Sequence, residues 1–517
     1  MKKRMIALLL SLVLIMGLFA GCGKTEAPAT QEPEKTPAAE STQKPAEEAK
    51  PEKKEDPVEL RLVMFGDLSP RREEYYKNEF HEAVLQDLNI DLTVEFLPWS
   101  SKDVLQTMLI TGEKIAVNNT VAFTDWAQKG LCAEIPMELI EKNCPNLLAM
   151  RENYGFSGCT FNDKIYIIPF GNKAYSGTGE FYTVREDIMK EIGWKAEDVT
   201  TIDQLLELFE AVKQAHPEMR VYMGGDAGGS DPTYTLLGHE FTGEVISRNA
   251  KTGTYVNQLE DNDQVYSWYE SEAFKKCAEF NAMLIEKGYA LPDHFTDPGQ
   301  GLADWNAGNS FARYGVAGQL IETSFISSIP DAEITRIKIG DAPGVITRDY
   351  DWGMSISAAD AENVEHWLRL FDWMYKDQET YDFLIYGVEG KDYERQADGS
   401  IKKLTTDVFW EDWFMMAKCY MAYDPSLSEE KIAMYESTDD GAIMSKVAGF
   451  TFDSAPVSTE VDMLAAAINE HMEPIYRGIV SYEENFDAAL AELKKAGLDT
   501  VIAEYQAQFS AWYAENN

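Results

Sequence analysis

Four side chains combine a carboxylate or an indole with a place just beyond a hydrophobic run. Asp67 follows the alternating Val58, Leu60, Leu62 and Met64. Trp99 stands between Pro98 and Ser100, after Leu92, Val94 and Phe96, and Asp125-Trp126 follows the apolar Val121-Ala122-Phe123. Trp305 lies in a stretch rich in Gly and Asn that reads as a loop. Such side chains suit a polyhydroxylated ring. Its hydroxyls need polar partners, and its C–H-rich faces lie well on flat aromatic rings that lose little conformational freedom. The chain holds 11 Trp and 25 Tyr, so part of this supply must be core. Trp367, Trp373 and Trp512 recur at helical spacing among apolar neighbours, which assigns them to packing.

Bond-making chemistry finds little support. A glycosidase needs two carboxylates at a set separation, but with 88 acidic residues any one pair is uninformative. The six histidines (His81, His216, His239, His294, His366 and His471) show no H-E-x-x-H spacing. No G-x-S-x-G elbow or Walker A loop occurs. Asp261-Asn262-Asp263 faintly resembles a calcium loop, yet Tyr266 stands where the sixth-position Gly should be. No catalytic residue, metal or cofactor is expected. Beyond Cys22 there are five cysteines: Cys132, Cys144, Cys159, Cys277 and Cys419. An odd number cannot pair completely, no C-x-x-C points to zinc, and Cys144–Cys159 is one open possibility for a closed loop. The formal net charge of −42 excludes a phosphate-backbone binder, because no Lys/Arg excess exists to displace counterions.

The elements that must hold these residues read as mixed α/β. The alternation at 58–64, a helical stretch around 72–88 and renewed alternation at 92–96 describe a strand–helix–strand unit of a parallel sheet. Thr201 and Gln204 have the form of a capping box, before Leu205, Phe209 and Val212 on one helical face. Val364, Trp367, Leu368, Phe371 and Tyr375 repeat that spacing, as do Val501, Ile502, Tyr505, Phe509 and Trp512.

The N-terminus carries an address. Lys2, Lys3 and Arg4 precede an apolar run from Met5 to Phe19, which ends in Ala20-Gly21-Cys22. This is the order of a secretory signal peptide, and the run is short for a membrane span. Leu18-Phe19-Ala20-Gly21-Cys22 resembles the bacterial lipobox, with Phe19 where Leu, Val or Ile is usual. That resemblance implies a signal peptide over 1–21 and a lipid on Cys22. Residues 23–57 contain no aromatic residue, Leu, Ile, Val or Met that could build a core, and read as a disordered tether of roughly 30–35 Å root-mean-square span.

Several segments together resemble extracellular solute-binding protein family 1, in particular its LplA-like lipoproteins. Asn162-Asp163-Lys164-Ile165-Tyr166-Ile167-Ile168-Pro169 and Asn172-Lys173 are similar to the family's approach to the first crossover between lobes. Phe181 to Asp187, Thr201 to Leu205 and Trp352 to Ser357 follow in the family's order. Tyr386-Gly387-Val388-Glu389-Gly390-Lys391-Asp392-Tyr393 and the ending Ala489 to Trp512 are the most specific matches. The resemblance implies a two-lobed periplasmic-binding-protein-like (type II) fold with hinge crossovers and a helical C-terminal region. It implies lobe 1 from 58–170 with about 352–385, and lobe 2 from 171–351 with about 386–517. Asn172 and Tyr175, flanking the first crossover, and Trp352, opening the return strand, join the candidate ligand contacts. The implied function is capture of a carbohydrate, an oligosaccharide in the first instance, for the permease subunits of an ABC importer. The implied protein is a lipid-anchored monomer on the extracytoplasmic side of the cell membrane. A surface lipoprotein that binds solute for sensing or adhesion is the alternative, ahead of a carbohydrate-active enzyme.

Overall fold

From Leu62 to Phe65 every side chain is buried, as in a strand covered on both faces of a parallel sheet. The computed structural model describes residues 56–516 except 99–100, 120–122, 152–154, 171–180, 224–232, 294–297, 316–328, 330–331, 347–352, 411–414, 416, 418 and 438–439. The signal peptide, Cys22 and the tether up to residue 55 lie outside the described residues.

Along the chain, β1 (Val58–Phe65), β2 (Ile90–Leu97), β3 (Ala116–Asn119), β4 (Ile168–Pro169), β5 (Phe181–Arg185), β6 (Arg220–Tyr222), β7 (Ser310–Gly315), β8 (Ile334–Ile337) and β9 (Gly353–Ile356) build two sheets. The first has the order β2-β1-β3-β9-β4 and the second β8-β5-β7-β6. β1 is parallel to β2 and β3, while β9 is antiparallel to both β3 and β4. Between β1 and β2 the chain is helical at Pro70–Tyr75, Tyr76–Phe80 and His81–Leu88, as the sequence pattern requires. Ser69 caps this stretch by accepting from the Arg72 N–H, and Pro70 fits the first turn, where no N–H bond is missed.

The first sheet's core joins Leu62, Met64, Phe80 and Ile90 to Trp367, Leu368 and Phe371 of the helix Val364–Trp373. It also takes in Tyr386, Tyr393, Ile401, Phe409 and Trp410. The chain's second passage through this half therefore runs past the boundary near 385 expected from the sequence. An ion pair between Arg71 and Asp392 ties that added segment down.

A second core packs Tyr182, Val184, Leu205, Phe209, Val212 and Phe311. Both bonds of the Thr201–Gln204 capping box are formed. The helix Glu272–Glu286 gives Phe280 and Leu284 to this core, and Phe274 and Cys277 to a third one. There they meet Leu464, Ile468, Leu493 and Val501 of the C-terminal helices. None of the five cysteines beyond Cys22 is in a disulfide, so Cys144 and Cys159 are not bridged; the Cys144 thiol lies 3.5 Å from the Leu368 carbonyl.

Candidate ligand-binding cleft

In the first sheet β1, β2 and β3 finish on one edge, at Phe65, Leu97 and Asn119. Phe65 lies opposite Leu97, Asn119 opposite Gly353, and Gly353 opposite Pro169. β4 therefore leaves this sheet, and β9 enters it, on the carboxyl edge of the parallel strands. In the second sheet Gly315 lies opposite Phe181, Ile337 opposite Tyr182, and Ala312 opposite Tyr222. The ends of β6, β7 and β8 and the start of β5 thus share one edge too. Segments 171–180 and 338–352 consequently join the carboxyl edge of one sheet to that of the other. Ligands of open α/β sheets bind outside these edges.

The sequence candidates fall into three groups. Asp67 is exposed just past the end of β1. Trp99 follows β2, Asn172 and Tyr175 follow β4, and Trp352 precedes β9; these four lie outside the described residues. Asp125 and Trp126 do not sit in a loop beyond the apolar run. The strand is Ala116–Asn119, and Phe123–Gln128 is a helix. Trp126 is 7% exposed and packs with Val63, Phe65, Leu105 and Val117.

Trp305 is likewise helical, within Pro298–Asn306, and only 1% exposed, packed with Met223 and with the Arg313 guanidinium 5.9 Å from its ring. The Gly and Asn residues that read as a loop include the helix's ending: Gly308 takes φ +74°, a left-handed conformation that stops a helix at little cost.

Further side chains shape the first sheet's carboxyl edge. Arg72, 3% exposed, lies 4.2 Å from the Phe96 ring and donates to the carbonyls of Asp67 (2.8 Å) and Phe409 (3.2 Å). It thereby holds the turn that presents Asp67. Gly66 (φ +135°) is needed there, since a Cβ would stand 2.9 Å from Arg72 Nη1. Asp125 Oδ2 accepts from Lys251 Nζ at 2.6 Å, and Gln128 Nε2 donates to Asp453 Oδ1 at 3.2 Å. Lys251 and Asp453 belong to the half built on the second and third cores. Sequence reasoning missed Arg72, Lys251 and Asp453, and only their position in the fold reveals them.

Comparison with known proteins agrees with this architecture. A model for a domain of unknown function (DUF3502) matches residues 446–514. A carbohydrate ABC transporter substrate-binding protein of Streptococcus pneumoniae serotype 4 (strain ATCC BAA-334 / TIGR4) is 20% identical over 470 residues, covering 87% of this chain and 90% of that protein. The N-glycan transport solute binding protein NgtS of Streptococcus pneumoniae superposes with a TM-score of 0.73 at 18% identity, over 89% of this chain and all (100%) of that one. A solute binding protein associated with an HMO-binding ABC transporter, from Bifidobacterium longum infantis ATCC 15697, gives a TM-score of 0.66 at 15% identity, over 89% and 100% of the two chains. The class is thus defined: the chain has the two-lobed fold of solute-binding proteins. Within it, the chain is similar in sequence to a carbohydrate ABC transporter substrate-binding protein, in keeping with the resemblance its motifs bear to extracellular solute-binding protein family 1.

Proposed function

We propose that this protein captures an oligosaccharide between its lobes and hands it to the permease of an ABC importer. The observation that carries the reading is the pair of carboxyl edges joined by segments 171–180 and 338–352. A solute held between such edges touches both lobes, so it favours the closed arrangement by its differential affinity. NgtS, the protein with the same fold, has been solved with Man1GlcNAc and with Man5GlcNAc. Asp67, Trp99, Asn172, Tyr175 and Trp352 are the proposed contacts. Trp126 and Trp305, buried behind the same edges, support them as packed walls. Cys22 is the proposed lipid anchor, with residues 23–57 as the tether of a monomeric receptor outside the cell membrane. Among the described residues no helix is long and apolar enough to cross a membrane.

The test is a thermal-unfolding screen of residues 56–517 against mono- and oligosaccharides, since a ligand of the native state raises the melting temperature by mass action. A saturable rise with one sugar class, the sugar being recovered intact and the rise being lost in Trp352→Ala, is the expected result. No rise across the panel would remove carbohydrate as the ligand, and cleaved sugar would overturn the receptor reading.

A further inference from the structure

The helix Phe123–Gln128 touches the opposite half at two points, and both partners are built to meet it. Lys251 sits in the turn of the antiparallel hairpin Ile246–Asn249 and Thr254–Asn257. That turn is fixed by Asn249, whose Oδ1 accepts from the N–H groups of Lys251 (3.1 Å) and Thr252 (3.3 Å). Asp453 is clamped by Gln508 of the helix Leu498–Asn516, which accepts from its N–H and donates to its carbonyl, each at 2.8 Å. The Asp453 carboxylate also accepts from the Ala455 N–H at 2.9 Å. Two preset polar groups thus face one short helix beside the first sheet's carboxyl edge.

We propose that Phe123–Gln128 is a closure latch. The Asp125–Lys251 ion pair and the Gln128–Asp453 hydrogen bond form as the lobes approach and part as they separate. They set how much of the unliganded protein is closed. Asp125 then acts on ligand affinity through closure, as a positioning residue, and not by touching the ligand. This inference rests on the two-lobed receptor reading. The ion pair is open to solvent, with Lys251 67% and Asp125 41% exposed, so its weight is small and salt-sensitive. An exposed pair shifts an equilibrium by about 1.5- to 5-fold, and the apparent affinity follows the binding-competent fraction in proportion. That range suits a tuning contact.

The experiment is a charge-swap cycle on residues 56–517: Asp125→Lys, Lys251→Glu and the double exchange. Small-angle scattering without ligand gives the radius of gyration at about 50 mM and about 0.5 M salt, where screening lengths differ roughly threefold. Each single variant is expected to be more expanded than the parent at low salt, and the double exchange to return towards it. High salt should erase the difference. With a sugar found in the screen, each single variant should bind about 1.5- to 5-fold more weakly, with recovery in the double exchange. Unchanged dimensions in both single variants would overturn the latch. So would sugar binding that stays weak in the double exchange, which would make Asp125 a direct contact. Scattering answers without any ligand, so a failed sugar screen counts against the carbohydrate reading and leaves the latch to be judged on its own.

Discussion

Arg71 and Asp392, separated by 321 residues of sequence, form a two-pronged ion pair: Nε to Oδ1 at 2.8 Å and Nη2 to Oδ2 at 2.5 Å. Asp392 is 2% exposed and also accepts from the Val388 N–H at 2.9 Å. The segment Tyr386–Tyr393, one of the two most specific motifs in the chain, is therefore a clasp that pins a late segment onto the helix after β1. Breaking a buried pair leaves a charge without its partner, at a cost of about 3–5 kcal/mol. Arg71→Met should lower stability in a urea titration by about that much.

The same pair makes a prediction about acid. Burial raises the Asp392 pKa, but the Arg71 hydrogen bond, the Val388 N–H and the charges of Arg71 and Lys391 outweigh it and hold the carboxyl below its ordinary value. A carboxyl lowered in the folded state adds stability above its unfolded pKa of about 3.9, and that stability is lost as pH falls through the lower folded value. Asp392→Asn should be less stable than the parent at pH 7, and the gap should narrow below about pH 4. A gap of constant size would exclude ionisation as its source.

Trp126 is packed where the first sheet's carboxyl edge begins, which gives a control for the binding test. Truncating a buried Trp costs about 3–5 kcal/mol. Trp126→Ala should reduce the unfolding temperature even without ligand. A stability equal to the parent's would contradict its packing among Val63, Phe65 and Leu105.

Lys446 closes the loop that carries Asp261-Asn262-Asp263. Its ammonium donates to the carbonyls of Glu260 (2.6 Å) and Asn262 (3.0 Å), and its own N–H donates to Gln258 Oε1 at 2.7 Å. Lys446→Met leaves those carbonyls without this donor, and should cost about 1–3 kcal/mol in chemical denaturation. An unchanged denaturation midpoint would show that water replaces the ammonium freely.

Thiol reactivity offers a further check on the packing. Burial pushes the thiols of Cys132 and Cys144 up to about 12 and raises that of Cys419 too, but Cys419 is exposed, whereas Cys159 and Cys277 are buried like the first two. Thiolates are the reactive species. A native titration of residues 56–517 should modify Cys419 rapidly and the others only on unfolding. Rapid loss of Cys144 would contradict its place in the first core.

Local chemistry was legible in the sequence wherever one element satisfied itself. The strands β1 and β2, the Thr201 capping box and the apolar face of Val364–Trp373 all appear as read, although β1 is buried on both faces from Leu62 onward and does not alternate there. Asn162 and Asp163, with φ of 48° and 61°, form the tight turn between the short strands Thr160–Phe161 and Lys164–Ile165. Misreadings came where a local cue had two meanings. The Gly and Asn residues around Trp305 ended a helix instead of forming a loop, and Phe123, the last residue of an apolar run, opened a helix. Contacts made across the fold left no local trace. Lys251 meets Asp125 because two distant segments converge, and neither residue's neighbours announce the other.

The placement of β9 also governs how the polypeptide can mature. Gly353–Ile356 lies between β3 and β4 inside the first sheet, although the whole second sheet precedes it in the chain. A nascent or newly exported chain that has delivered only β1, β2 and β3 carries an unpaired β3 edge, and unpaired edges invite association with other chains. The first lobe cannot be sealed until some 230 further residues beyond β3 have arrived. Its assembly is a late event in folding, and the window before β9 docks is when this protein most needs protection from its neighbours.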